Sequence, residues 1–255
     1  MKIISVTRRL KSCLSLFSLT VILGAAACGK KIVLHHSDAT LYPVSVNAPA
    51  DSALTAYLKP YKAHLDSQMW DIIAVSEKII ERARPEGPLN NLMADAMFTV
   101  GRQNGMEFDV AYTNYGGLRL PLPEGPIRLF NVYELMPFEN RLTTVRFSGA
   151  DMQLFFDYIA GMGGDPISGA RFRIRDKKAV DITIGGEPFD VKKEYTVLTS
   201  DYMANGGDGG DIFFKSFGRK EYDIKLRDAV ITYLEQQTKA GNKINPKVDG
   251  RITVE

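Results

Sequence analysis

Three short turns carry side chains that could together hold one flat, charged ligand. Phe138 stands in Pro137-Phe138-Glu139-Asn140, and Tyr202 opens a Gly-rich run, Tyr202-Met203-Ala204-Asn205-Gly206-Gly207-Asp208-Gly209. A third turn, Asn114-Tyr115-Gly116-Gly117-Leu118-Arg119, brings a guanidinium. Two aromatic faces can clamp a heterocyclic base, because every base has a π-face. The Asp208 carboxylate can accept from sugar hydroxyls, and a planar guanidinium fork suits phosphate oxygens. Singly each turn is weak: Gly-Gly after Asn is ordinary turn chemistry, and a Phe after Pro is usually core. The conjunction is what describes a nucleotide cradle.

For the turns to meet, regular elements have to deliver them. Phe108 to Thr113 is a short apolar run that reads as a buried strand ending at the Asn114 turn. Leu142 to Phe147 alternates as a strand after the Phe138 turn, and Tyr195 to Ser200 is a β-branched strand aimed at Tyr202. Around them the apolar spacing predicts helices from Asp51 to about Gln68, from Asn90 to about Asn104, from Asp151 to Ala160 and from Tyr222 to Gln237. Further strands are expected at Trp70 to Ile80, Pro126 to Leu129, and Arg251 to Glu255. Arg171 to Arg175 and Ala179 to Ile184 read as a pair turning at Gly185-Gly186. A short helix is expected to end near Pro137. Irregular alternation of strands and helices favours a mixed α/β domain over a bundle or a sandwich.

The motif order resembles the C-terminal domain of the 5′-nucleotidase family, which includes UDP-sugar hydrolases, from about Asp71 to Glu255. Leu89-Asn90-Asn91-Leu92-Met93-Ala94-Asp95-Ala96 matches that family's first helix, and Gly185-Gly186-Glu187-Pro188-Phe189-Asp190 through Tyr195-x-Val197 its central hairpin. The resemblance implies a four-layer α/β/β/α architecture. It implies that Phe138 and Tyr202 sandwich the base, that Asp208 takes ribose hydroxyls and that Arg119 reaches phosphate or ribose oxygens. Asn114 or Asn140 would pair with the base edge, and Gly169 would line the pocket with backbone. Two positions depart from the family pattern. Tyr202 stands where Phe is usual, and Pro85 stands where an arginine usually precedes the glutamate, here Glu86, leaving Arg84 one residue earlier as a substitute.

The family's other half is a metallophosphatase domain, whose two metals need Asp-x-His, Gly-Asn-His and Gly-His-x-His elements to clamp attacking and leaving oxygens. Those elements do not occur here; the three histidines are His35, His36 and His64. The expectation is no catalytic residue, no metal ligand and no cofactor in this chain. It reads as a nucleotide- or nucleoside-binding chain, the recognition half of a split 5′-nucleotidase with a separate metallophosphatase chain. The alternatives are a stand-alone nucleoside receptor or scavenging module, or a complete hydrolase.

The bulk properties bound the setting. Lys2, Arg8, Arg9 and Lys11 precede an apolar run from Cys13 to Ala27, and Leu23-Gly24-Ala25-Ala26-Ala27-Cys28 resembles a bacterial lipobox. That predicts a signal peptide over 1–28, lipid on Cys28 and a tether over 29–50, with the nucleotide-binding domain over 51–255; an ordinary secretory peptide is the alternative. Either way the protein is exported, and the lipid reading anchors it to a bacterial membrane, facing the periplasm or the cell surface. A net charge of +2, with acids and bases interspersed, argues against a polyanionic partner such as nucleic acid.

Overall fold

The computed structural model of the chain describes residues 36–42 and 49–255. The expected signal segment, Cys28, His35 and most of the expected tether lie outside the described residues. His36 is exposed and pairs with Asp38 at 2.9 Å. No described helix is long and apolar enough to cross a membrane.

In chain order the elements begin with α1 (Ser52–Met69), β1 (Ile72–Ser76), α2 (Pro88–Gln103), β2 (Val110–Tyr112), β3 (Gly125–Arg128) and α3 (Leu129–Leu135). Next come β4 (Arg141–Ser148), α4 (Gly149–Gly161), β5 (Ile167–Ser168), β6 (Ala170–Arg175), β7 (Lys178–Ile184) and β8 (Glu187–Pro188). The last are β9 (Glu194–Ser200), α5 (Asp201–Ala204), β10 (Phe217–Lys225), α6 (Leu226–Lys239) and β11 (Ile252–Val254). The strands form a five-stranded sheet in the order β10-β4-β9-β2-β5, a four-stranded sheet β11-β6-β7-β8 and a small β1-β3 pair.

Strand alternation sends neighbouring side chains to opposite faces, and two cores result. Ala111, Leu142 and Leu198 face a core built with α2 and α6, where Leu92, Met93, Met97, Val230 and Leu234 are buried. Val110, Tyr112, Val145 and Phe147 face the other side, where α4 supplies Phe155, Phe156 and Ile159 and the four-stranded sheet supplies Phe172, Ile174 and Ile182. The protein is therefore the mixed α/β, layered domain that the sequence implied. Without a disulfide among the described residues, these two apolar cores are what hold it; each fully buried Leu, Phe or Met contributes on the order of 1.5–3 kcal/mol.

Several boundaries differ from expectation: the strand expected over Trp70 to Ile80 spans only Ile72–Ser76. The β6–β7 hairpin turns at Asp176-Lys177, whose φ values of 49° and 60° suit a two-residue hairpin, and Gly185-Gly186 instead leads β7 into β8. The last long helix begins at Leu226 rather than Tyr222, because Tyr222 to Lys225 belong to β10. Pairing of β10 with β4, which sets Lys225 against Arg141, overrides the local helical spacing.

Candidate functional site

Sheet register explains why the three turns converge. β2 runs parallel to β9 with Val110 opposite Val197, and β4 runs antiparallel to β9 with Leu142 opposite Ser200. The end of β2, the end of β9 and the start of β4 thus share one edge of the sheet. The turns they carry enclose a cavity of about 230 Å³, lined by Asn114, Arg119, Phe138, Asn140, Tyr202 and Asp208 with Gly116 and Gly117. Six of the eight expected contact residues meet there; Gly169 and Arg84 do not line it. Phe138 and Tyr202 are 38% and 41% exposed, so both rings present open surface.

Tyr202 is held at both ends. Its ring packs against Gly207, where a Cβ would come within 2.4 Å of Cε1. Its hydroxyl donates to Asp208 Oδ1 at 2.7 Å and accepts from the Asp208 backbone N–H at 3.2 Å. The bond to Asp208, followed by partial burial, raises the Tyr202 hydroxyl above its ordinary pKa. Asp208 takes a second donor, Asn114 Nδ2, on Oδ2 at 2.6 Å, and its carbonyl accepts from the Tyr158 hydroxyl at 3.2 Å. The two candidate asparagines therefore separate. Asn114 is buried and gives one Nδ2 hydrogen to Asp208, whereas the half-buried Asn140 has no side-chain hydrogen bond to a described residue; both line the cavity. Arg119 is exposed and makes no ion pair with a described residue, leaving its fork available.

The Phe138 turn is fastened from beneath by Arg227 of α6, which sequence reasoning missed. The Arg227 side chain is 4% exposed; Nη1 donates to the carbonyls of Met136 and Phe138, each at 3.3 Å, and its guanidinium lies 4.0 Å from the centre of the Tyr133 ring. Arg227 and Lys225 both clasp Glu139. Hydrogen bonds from Lys225 first and Arg227 second hold the Glu139 carboxyl down at about 2. A lone Arg at a helix start carries no signal in sequence that it props a turn from some ninety positions away.

Arg84 is committed elsewhere. Nη2 bonds Asp165 Oδ1 at 3.2 Å, and its guanidinium lies 4.5 Å from the Tyr115 ring centre, on the same ring that Arg82 approaches at 4.4 Å. It braces the Asn114 turn through Tyr115 rather than facing the cavity. Gly169 at φ +86° packs where a Cβ would sit 2.4 Å from the Asp109 carbonyl and 2.8 Å from the Phe98 ring, beside a different cavity that includes Ser168, Arg171 and Gly185. Its requirement for glycine is close packing at the β5–β6 junction.

Asp165 lies beneath the site, with its side chain 2% exposed, and accepts from the Tyr112 hydroxyl at 2.9 Å as well as from Arg84. Burial pushes its pKa to about 6, against the lowering pull of Tyr112 and Arg84. The folded state therefore binds this proton more tightly than the unfolded chain does. Its contribution to stability is full below about pH 4 and falls away as pH rises through 6, by at most about 3 kcal/mol at 1.36 per pK unit. Asp165→Asn is expected to remove this slope from urea-unfolding free energies measured between pH 4 and 7; an unchanged slope refutes the assignment.

Among the described residues no group of three or more His, Cys, Asp or Glu is arranged to hold a metal ion. The cavity's lining offers aromatic faces, amides, a carboxylate and a guanidinium.

The profile of a family described as "5′-nucleotidase, C-terminal domain" matches residues 72–218. The chain is 25% identical over 242 residues to the trifunctional nucleotide phosphoesterase protein YfkN of Bacillus subtilis, covering 85% of this chain and 16% of that protein. It is 26% identical over 164 residues to a 5′-nucleotidase of Vibrio parahaemolyticus, covering 62% of this chain and 29% of the relative. The crystal structure of a 5′-nucleotidase precursor from Thermus thermophilus superposes with a TM-score of 0.65 and 26% identity, over 79% of this chain and 42% of that one. The chain thus spans less than a third of the length of these two curated relatives.

Proposed function

The chain belongs to the 5′-nucleotidase C-terminal domain family, and from that premise we propose that it binds a nucleoside or nucleotide between Phe138 and Tyr202. The observation that carries this reading is that two exposed rings, a carboxylate, an uncommitted amide and an uncommitted guanidinium open on one cavity. The base stacks between the rings, Asn140 reads its edge, Asp208 takes the ribose hydroxyls and Arg119 meets phosphate. The names of the relatives, a nucleotide phosphoesterase and a 5′-nucleotidase, support the ligand class.

The chain acts as the recognition half of a split 5′-nucleotidase, and a metallophosphatase on a separate chain supplies the metals and the hydrolysis. Export and lipid attachment at Cys28 belong to the same proposal and place the site at a bacterial membrane surface. Calorimetric titration with AMP and adenosine, run beside a phosphate-release assay with added divalent metal, tests both parts. Binding without phosphate release is the expected result. Release of phosphate from AMP by the purified chain alone overturns the split reading, and absence of binding overturns the ligand assignment.

Asp208→Ala is expected to weaken adenosine binding about three- to tenfold more than adenine binding, the worth of one ordinary hydrogen bond or slightly more. Equal losses for riboside and free base contradict the ribose role.

A further inference from the structure

We propose that the Tyr202 hydroxyl sets how strongly the site distinguishes a ribose from a sugar without its 2′,3′-diol, by occupying the carboxylate that the diol needs; this rests on the nucleoside reading above. Asp208 is surrounded by donors belonging to the protein itself. Oδ1 accepts from Tyr202 Oη at 2.7 Å, Oδ2 accepts from Asn114 Nδ2 at 2.6 Å, and the carbonyl accepts from Tyr158 at 3.2 Å. The backbone N–H of the same residue donates back to Tyr202 Oη. A carboxylate oxygen has two lone-pair directions, so each one already carries a donor and keeps one acceptor direction for a ligand.

The two internal donors are not equivalent. Asn114 is 6% exposed and tucked under Gly117, so its bond belongs to the interior. Tyr202 is 41% exposed, and its hydroxyl meets Asp208 on the rim of the cavity where the sugar has to sit. A diol can reach Oδ1 only by sharing it with that hydroxyl or displacing it, and either one subtracts from what the diol gains. The ring itself is positioned separately, by its contact with Gly207. Removing the hydroxyl therefore frees an acceptor while leaving the stacking face on the same glycine platform. None of these contacts involves the base, so the hydroxyl acts on sugar selectivity and not on base selectivity.

The test compares adenosine with 2′,3′-dideoxyadenosine by calorimetric titration. In the wild-type protein the preference for adenosine is expected to stay below about tenfold, less than an unshared charged acceptor gives. In Tyr202→Phe the preference is expected to rise a further three- to tenfold or so, the increment of one hydrogen bond, whatever the change in absolute affinity. In Tyr202→Phe/Asp208→Ala that gain is expected to vanish, because the freed acceptor is gone. A wild-type preference far above tenfold, or a Tyr202→Phe preference that is unchanged or smaller, overturns the proposal; the smaller value means that the hydroxyl itself serves the sugar. Binding of neither nucleoside by folded wild-type protein overturns the nucleoside reading and this inference with it. Binding with the wrong ratios overturns this inference alone.

Discussion

Phe138→Ala and Tyr202→Ala are each expected to weaken nucleotide binding by roughly 1–3 kcal/mol, about five- to 150-fold, because each removes one face from a two-faced stack. Both rings are more than a third exposed in the free protein, so neither truncation opens a large hole in a core. The effects therefore appear in affinity and not in melting temperature. Tyr202→Ala is expected to fall toward the smaller end, since it also frees Asp208 Oδ1 from the hydroxyl for the sugar. The two losses are not additive, because one base bridges both rings. Titration with AMP reads the effect directly; unchanged affinity in both variants rules out the clamp.

Glu86→Ala is expected to give the largest loss of stability. Glu86 is 8% exposed, and its Oε1 accepts from Asn91 Nδ2 at 2.6 Å and the Asp249 backbone N–H at 2.9 Å. Oε2 accepts from the backbone N–H groups of Gly250 and Arg251 at 3.0 and 2.9 Å. One carboxylate thus ties the loop before β11 to the start of α2. Removing it leaves three backbone donors without an acceptor and the Asn91 amide with only its bond to the Lys247 carbonyl, and an unsatisfied buried donor costs more than the bond it loses. The expected destabilisation is about 3–5 kcal/mol, or on the order of 10 °C in melting temperature for a domain of this size. Glu86→Gln, which retains one acceptor oxygen, is expected to lose less. Urea unfolding checks both; a loss under about 1 kcal/mol for Glu86→Ala would falsify this account.

Much of the site is legible in the sequence because its chemistry is local. Phe138, Tyr202, Asp208 and Arg119 sit in turns that Pro and Gly punctuate, and the strands beside them show apolar or β-branched runs. The family likeness adds the order in which those turns meet. Arg227 is not legible, since its work depends on α6 passing under the Phe138 turn, a long-range placement with no local pattern. Asp165 is equally hidden. A single acid after Gly163-Gly164 reads as a turn residue, and only the folded chain shows it buried against Tyr112 and Arg84. The resemblance implied that Gly169 lines the pocket, and it left Arg84, one residue off the family's arginine position, as a substitute. Here Arg84 is drawn to Asp165, and Gly169 is fixed by the approach of Asp109 and Phe98. The last four residues of the strand Phe217–Lys225 read as helix because Tyr222 and Ile224, packed at the core's edge, fit either period on so short a stretch.

Phe138 and Tyr202 hang from the ends of β4 and β9, which stay in unbroken antiparallel register from Leu142 opposite Ser200 to Ser148 opposite Glu194. The jaw width is consequently inherited from a backbone ladder, a far stiffer spring than any side-chain torsion. Under the proposed stacking, a frame so held sets how far the two rings stand apart before any polar group has a say, and a flat base is the guest it suits. Evolving a new preference among flat guests is then a matter of exchanging the amide at Asn140, with the hinge-free frame left untouched.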